Sequence, residues 1–156
     1  GAAKLGMHFV AMGPEELAKQ MDKDVVNSTF AEARENGGLI EITDNKADLK
    51  GADVIYGDVW ASMGEEAQIP ERVRLLSPFR VTEETLKATE NPDVLYLHCL
   101  PSFHDFETTL AKEQNEKGYD IREVTDEVFR SKNSKVFDEA ENRMHTIKSV
   151  IVATIG

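Results

Sequence analysis

The 156 residues are 40% hydrophobic and 30% charged, a balance that predicts one globular domain rather than a disordered or membrane-spanning chain. Eighteen basic against 29 acidic residues leave a net charge of −11, which argues against non-specific binding to nucleic acid or to an anionic membrane, since both need surplus positive charge. A single cysteine, Cys99, excludes an internal disulfide framework and a multi-cysteine zinc site, and it points to a reducing, cytoplasmic setting.

In chain order, Gly1 to Leu5 reads as the end of a helix with no capping residue before it, so the chain reads as a fragment. Residues 7–12 form the first apolar, strand-like run. Gly13-Pro14 then places proline at the first position of a helix. Leu17, Met21, Val25, Phe30 and Ala33 continue it at helical spacing until Gly37-Gly38. Residues 39–43, 53–57 and 93–98 read as further strands, with a short fifth at 135–137. Val54-Ile55-Tyr56 and Val94-Leu95-Tyr96-Leu97 are continuous rather than alternating, which predicts strands covered on both faces of a parallel sheet. Helices are expected over 70–76, 82–89, 106–116, 126–131 and 139–155. Alternating strands and helices predict an α/β fold with a mostly parallel sheet. The longest apolar stretch, 150–155, is far short of the roughly 20 residues of a membrane helix.

Ligands of such sheets bind beyond the carboxyl ends of the strands, and two of those ends carry unusual chemistry. After 53–57 comes Asp58-Val59-Trp60-Ala61-Ser62-Met63-Gly64. A carboxylate and a hydroxyl there could hold an ammonium group; either could equally cap a following helix. After 93–98 comes Cys99-Leu100-Pro101, with His98 as the last strand residue. A free cysteine is commonly an inert buried thiol, and His98 fits a satisfied core histidine. A third site opens the last helix. Asp138, Glu139 and Glu141 suit a helix amino end, but Arg143 does not, unless it pairs with those carboxylates. Met7, Met12, Met21 and Met144 read as core filler. His8, His98, His104 and His145 show no metal spacing, no phosphate-binding glycine motif occurs, and no metal or cofactor is expected.

Taken together and in this order, the three sites resemble the ornithine carbamoyltransferases. The Asp58-to-Gly64 stretch resembles the family's ornithine-binding loop, His98-Cys99-Leu100-Pro101 its signature tetrapeptide, and VFDEAENRMHT its closing motif. The resemblance covers essentially the whole chain. It implies a Rossmann-like three-layer αβα fold, the second domain of the aspartate/ornithine carbamoyltransferase architecture. Residues 1–156 would be the ornithine-binding domain, incomplete at its amino end because the first, central strand and its asparagine would precede Gly1. The implied reaction moves a carbamoyl group from carbamoyl phosphate to L-ornithine, giving citrulline and phosphate without a cofactor. Asp58, Ser62 and Met63 would hold ornithine, Cys99 and Leu100 would line the junction with the carbamoyl group, and Arg143 would face the carbamoyl oxygen. The Leu100–Pro101 bond would be cis. The phosphate-gripping S-x-R-T-R and H-P-x-Q motifs belong to the family's first domain and are not in this sequence. The chain alone is therefore expected to make no citrulline. The full enzyme would be a homotrimer or higher oligomer, and the last helix would pack on the first domain. Two alternatives remain open from the sequence: a stand-alone amino-acid-binding module, or a sister transferase acting on another amine such as putrescine. The intact Asp58, Ser62, Met63 and Gly64 favour ornithine.

Overall fold

In the computed structural model, residues 1–62 and 64–156 are described. The chain divides into two compact units, Gly1–Lys50 and Gly51–Gly156.

The first unit opens with a single 3-10 turn over Ala3–Leu5, closed by Gly6 at φ 65°, a left-handed cap that a side chain would strain. Strand β1 (His8–Met12) then pairs in parallel with β2 (Leu39–Thr43), His8 opposite Leu39 and Met12 opposite Thr43. The crossover is not the single helix that the apolar spacing predicts. It is a short α1 (Glu15–Ala18) followed by α2 (Lys23–Glu35). The break has a local cause. The Asp22 side chain accepts the N–H groups of Asp24 and Val25, so Asp22 starts a new helix instead of continuing the old one. Met7 and Met21 are half exposed rather than core filler.

In the second unit, β3 (Val54–Gly57) and β4 (Leu95–His98) also pair in parallel, from Val54 opposite Leu95 to Gly57 opposite His98. Between them lie α3 (Ile69–Leu76) and α4 (Glu83–Ala88). Pro70 sits in the first turn of α3, where its missing N–H costs nothing. Thr82 and Thr85 form the reciprocal cap of α4. Beyond β4 come α5 (Thr109–Glu116), the single turn α6 (Asp126–Phe129) and the 20-residue α7 (Val136–Ile155). Val94, Tyr96, Val124, Val128 and Val136 are fully buried and form the centre of the unit. A second cluster of Ile69, Ala111 and Ile121 lies with Phe103 and Phe106 against it.

Two expectations are corrected here. Residues 135–137 are not a strand: Val136 begins α7, and only Ser134 bridges to Tyr96. The Lys135 N–H donates to the Tyr96 carbonyl, so the segment touches the sheet edge once before helical hydrogen bonding takes over. Nor are β3 and β4 covered on both faces. Ile55, Tyr96 and His98 point inward, while Val54, Tyr56 and Leu95 remain well exposed. The apolar residues of α7, among them Phe137, Met144, Ile147 and Ile151, are likewise exposed. Among the described residues, no helix is long and apolar enough to cross a membrane.

Candidate functional site

The register of β3 and β4 sets the site. Because Gly57 lies opposite His98, the next residue on each chain, Asp58 and Cys99, leaves the sheet at the same edge. The Cys99 thiol donates to Asp58 Oδ1 at 3.2 Å, and the same oxygen accepts the Val59 N–H at 2.8 Å. Asp58 Oδ2 has no partner among the described residues. Partial desolvation, and then donation to the Asp58 carboxylate, push the Cys99 thiol pKa up, so its proton stays on sulfur near neutral pH. Cys99 is exposed, which corrects the inert buried thiol.

Neither Asp58 nor Ser62 caps a helix. The next helical turn begins at Glu66 behind Glu65, with no side-chain cap. Ser62 is exposed, its N–H donates to Glu65 Oε2 at 3.0 Å and its carbonyl accepts the Glu65 N–H. The hydroxyl therefore stands clear of the turn. Met63 lies outside the described residues. Trp60, between Asp58 and Ser62, sits under the Arg80 guanidinium, 5.5 Å from the ring centre, a cation–π contact. Arg80 is itself fixed by the carbonyl of Arg122 and by Asp120. A cavity of about 300 Å³ adjoins this loop, lined by Val59, Trp60, Ser62, Arg72, Pro101 and Phe103 among others.

Two glutamates hold the strand ends: Glu139, which the sequence offers only as a helix-start acid, and Glu123, which it does not single out. Glu139, in the first turn of α7, accepts the Tyr56 hydroxyl at 2.8 Å and the His98 N–H at 3.1 Å. Tyr56 is pushed up to about 12, by desolvation first and by Glu139 next, so it donates throughout the physiological range. Glu123 is buried and accepts from Ser102 Oγ at 2.8 Å and from the Phe103 N–H at 2.6 Å. His98 is buried, 1% exposed, and its Nδ1 accepts the Leu100 N–H at 2.9 Å, but its Nε2 has no hydrogen-bond partner among the described residues, so it is a core histidine only half satisfied. Leu100 has φ 47°, and the Leu100–Pro101 bond is cis, as the resemblance implies.

Arg143 does not pair with its acidic neighbours. Among the described residues, Glu139 is engaged as above, Glu141 faces His145, Asp138 faces Lys135, and the exposed Arg143 guanidinium makes no ion pair. Residues four apart share one face of a helix, so Arg143 lies one turn beyond Glu139 on the face that meets β3 and β4. Elsewhere, the ligand atoms of His104, Asp105 and Asp126 lie within 4.8 Å of one another. Arg130 sits 2.8 Å from Asp126 and 3.6 Å from Asp105, supplying the positive charge that such a trio would otherwise draw from an ion.

A family model described as aspartate/ornithine carbamoyltransferase, Asp/Orn binding domain, matches residues 1–154. The catabolic ornithine carbamoyltransferase of Clostridium perfringens is 56% identical over 159 residues, which span the whole chain and 47% of that relative. The catabolic ornithine carbamoyltransferase of Bacillus licheniformis is 52% identical with the same coverage. Among solved structures, ornithine carbamoyltransferase from Pyrococcus furiosus is similar with a TM-score of 0.75 at 38% identity, over 96% of this chain and 42% of that one. The chain thus spans about half the length of the curated relatives it matches. With the three sequence sites assembled at one sheet edge and the match running from end to end, the chain belongs to the aspartate/ornithine carbamoyltransferase family, within its Asp/Orn binding domain.

Proposed function

We propose that residues 1–156 are the ornithine-binding domain of a cytoplasmic, homo-oligomeric enzyme that transfers a carbamoyl group from carbamoyl phosphate to L-ornithine. The observation that carries this reading is the Cys99–Asp58 contact of 3.2 Å across two strand ends. The substrate amine is nucleophilic only when neutral. At a Lys-like pKa near 10.4, about one in a few thousand is neutral at pH 7. Asp58 has one oxygen held by the Cys99 thiol and the Val59 N–H, which leaves Oδ2 to accept from the amino acid and orient it. Ser62 and Met63 complete the hold on the amino acid, and Cys99 and Leu100 line the reacting junction. As the C–N bond forms and the C–O bond to phosphate breaks, the surplus amine proton leaves with the phosphate. Charge on the carbonyl oxygen meets Arg143, a permanently charged donor fork. The first domain supplies the phosphate site, so the 156 residues alone make no citrulline.

The test is citrulline formation by the full-length protein and its Asp58→Asn variant. The variant should lose at least ~100-fold in kcat/KM for ornithine, the range expected of a positioned acid–base group. Unchanged ornithine kinetics would remove Asp58 from the reaction.

A further inference from the structure

The Cys99 loop leaves the sheet and turns sharply, yet its sulfur is directed at Asp58 Oδ1 at 3.2 Å, with His98 Nδ1 farther off at 4.0 Å. We propose that Glu123 is the positioning residue of this loop, acting through Ser102 and Phe103 to aim the Cys99 thiol at Asp58. The proposal rests on the transferase reading only in its kinetic arm.

Glu123 is 3% exposed, and a buried carboxylate needs several donors. Its donors stand where the loop ends. Ser102 Oγ and the Phe103 N–H, which follow Cys99-Leu100-Pro101, both donate to Oε1. His98, which precedes them, brings its Nε2 to 3.2 Å from the same oxygen but makes no hydrogen bond there, and Glu123 Oε2 has no partner among the described residues. One carboxylate oxygen therefore anchors the far end of a three-residue excursion and lies against the residue that opens it. The middle of the excursion is fixed from within, because the Leu100 N–H donates to His98 Nδ1. An accepting Nδ1 places the proton of the neutral ring on Nε2, the nitrogen that faces Glu123. The imidazole thus holds the backbone of Leu100, one residue from the thiol, and packs beside the buried carboxylate without a hydrogen bond to it. Glu123 touches no reacting atom in this scheme; it holds the frame from which Cys99 projects.

A glutamate that served stability alone would lower the melting temperature and leave Cys99 as it is. The distinguishing readout is the iodoacetamide alkylation rate of Cys99 at pH 8, followed on its peptide by mass spectrometry in the full-length protein. Thiol reactivity follows the thiolate fraction and access. A loop that no longer aims the thiol at Asp58 should therefore alkylate faster. Glu123→Ala is expected to accelerate alkylation at least ~5-fold, since below the pKa the thiolate fraction changes about tenfold with each unit of pKa, and to lower kcat/KM for ornithine. Glu123→Gln keeps an oxygen for Ser102 and Phe103 and should stay within about threefold of wild type in both, as a hydrogen-bonding isostere. If Glu123→Ala does not fold, Ser102→Ala replaces it: it removes the hydroxyl that donates to Glu123 Oε1, and acceleration in the same direction is expected. Folded Glu123→Ala protein that alkylates at the wild-type rate overturns the proposal, whatever its melting temperature. Accelerated alkylation in a protein whose wild type forms no citrulline supports the clamp and refutes the transferase reading.

Discussion

Replacing Gly57 by alanine would place a methyl group where two buried side chains already lie. A Cβ at this position would stand 2.6 Å from the Tyr96 hydroxyl and 2.8 Å from His98 Cδ2. Tyr96 is 0% exposed and His98 1%, so neither can swing into solvent. Gly57 does not have a positive φ, so alanine would meet no backbone strain. Its lower unfolded-state entropy and better strand preference would even favour folding by about 0.5–1 kcal/mol. Overpacking opposes this with about 1–3 kcal/mol, and wins, because both obstacles are pinned: Tyr96 by backbone hydrogen bonds to Asn133 and Lys135, and His98 by Leu100 and Glu139. The net loss of about 1–2 kcal/mol corresponds to a melting temperature lower by about 2–8 °C for a chain of this length. Thermal unfolding followed by circular dichroism measures it. Tyr96→Phe provides the internal control. The Tyr96 hydroxyl is buried without a hydrogen-bond partner among the described residues, so removing it should cost little by itself. In the Gly57→Ala background it removes the nearest obstacle and should recover part of the loss, a coupling that a double-mutant cycle reads directly. Gly57→Ala protein melting at or above the wild-type temperature, or additive single effects, would refute the steric account.

Other positions offer independent checks. The raised Cys99 pKa means that the thiolate appears only above the pH at which an ordinary cysteine ionises, near 8.5. The alkylation rate should therefore climb late with pH, and Asp58→Asn should bring the climb down toward the ordinary value while the contribution of burial remains; an unmoved profile would detach the thiol from Asp58. Gly13 has no positive φ and nothing within 4 Å of an added Cβ, so Gly13→Ala should stabilise by about 0.4–1 kcal/mol through the unfolded chain. A lower melting temperature for that variant would show the opening of the crossover to be more constrained than its geometry indicates.

The strands were legible because their pattern is local. The run at 39–43 coincides with β2, and those at 53–57 and 93–98 end at the same residues as β3 and β4. Thr82 likewise announced the start of α4. The helix break at residues 19–22 was not read, because the apolar residues Leu17, Met21 and Val25 keep helical spacing across it and the cap of Asp22 competes with that spacing at one point only. For the site, the carboxyl-end rule directs attention to Asp58 and Cys99, but their meeting depends on β3 lying beside β4 in a register that no spacing encodes. Glu123 and Glu139 were illegible for the same reason. Glu139 has the composition of an ordinary acidic helix start, and Glu123 follows Arg122 in a stretch without periodicity. What distinguishes them is the donors brought to them from residues some 20 to 83 positions away.

The two glutamates also divide the work at the sheet edge. Glu139 ties α7 to β3 through the Tyr56 hydroxyl and to β4 through the His98 N–H, so it fixes where the helix bearing Arg143 begins. Glu123 ties the loop bearing Cys99 to the segment before α6. Asp58 needs neither, since it leaves β3 directly and uses its own neighbour's N–H. On the proposed reading, the group that receives the substrate amine thus stands on the strand itself, while those facing the carbamoyl group are each held by a carboxylate at one remove. That arrangement suits a domain with net charge −11. Surplus negative charge favours a cationic amino acid and repels a phosphoryl group. Glu139 and Glu123 Oε1 are occupied by hydrogen-bond donors of this chain, and Glu123 Oε2 is buried, so on the proposed reading Asp58 Oδ2 is the exposed acceptor at the strand ends for an incoming ammonium, and Arg143, unpaired among the described residues, is the cation on the face of α7 that meets them.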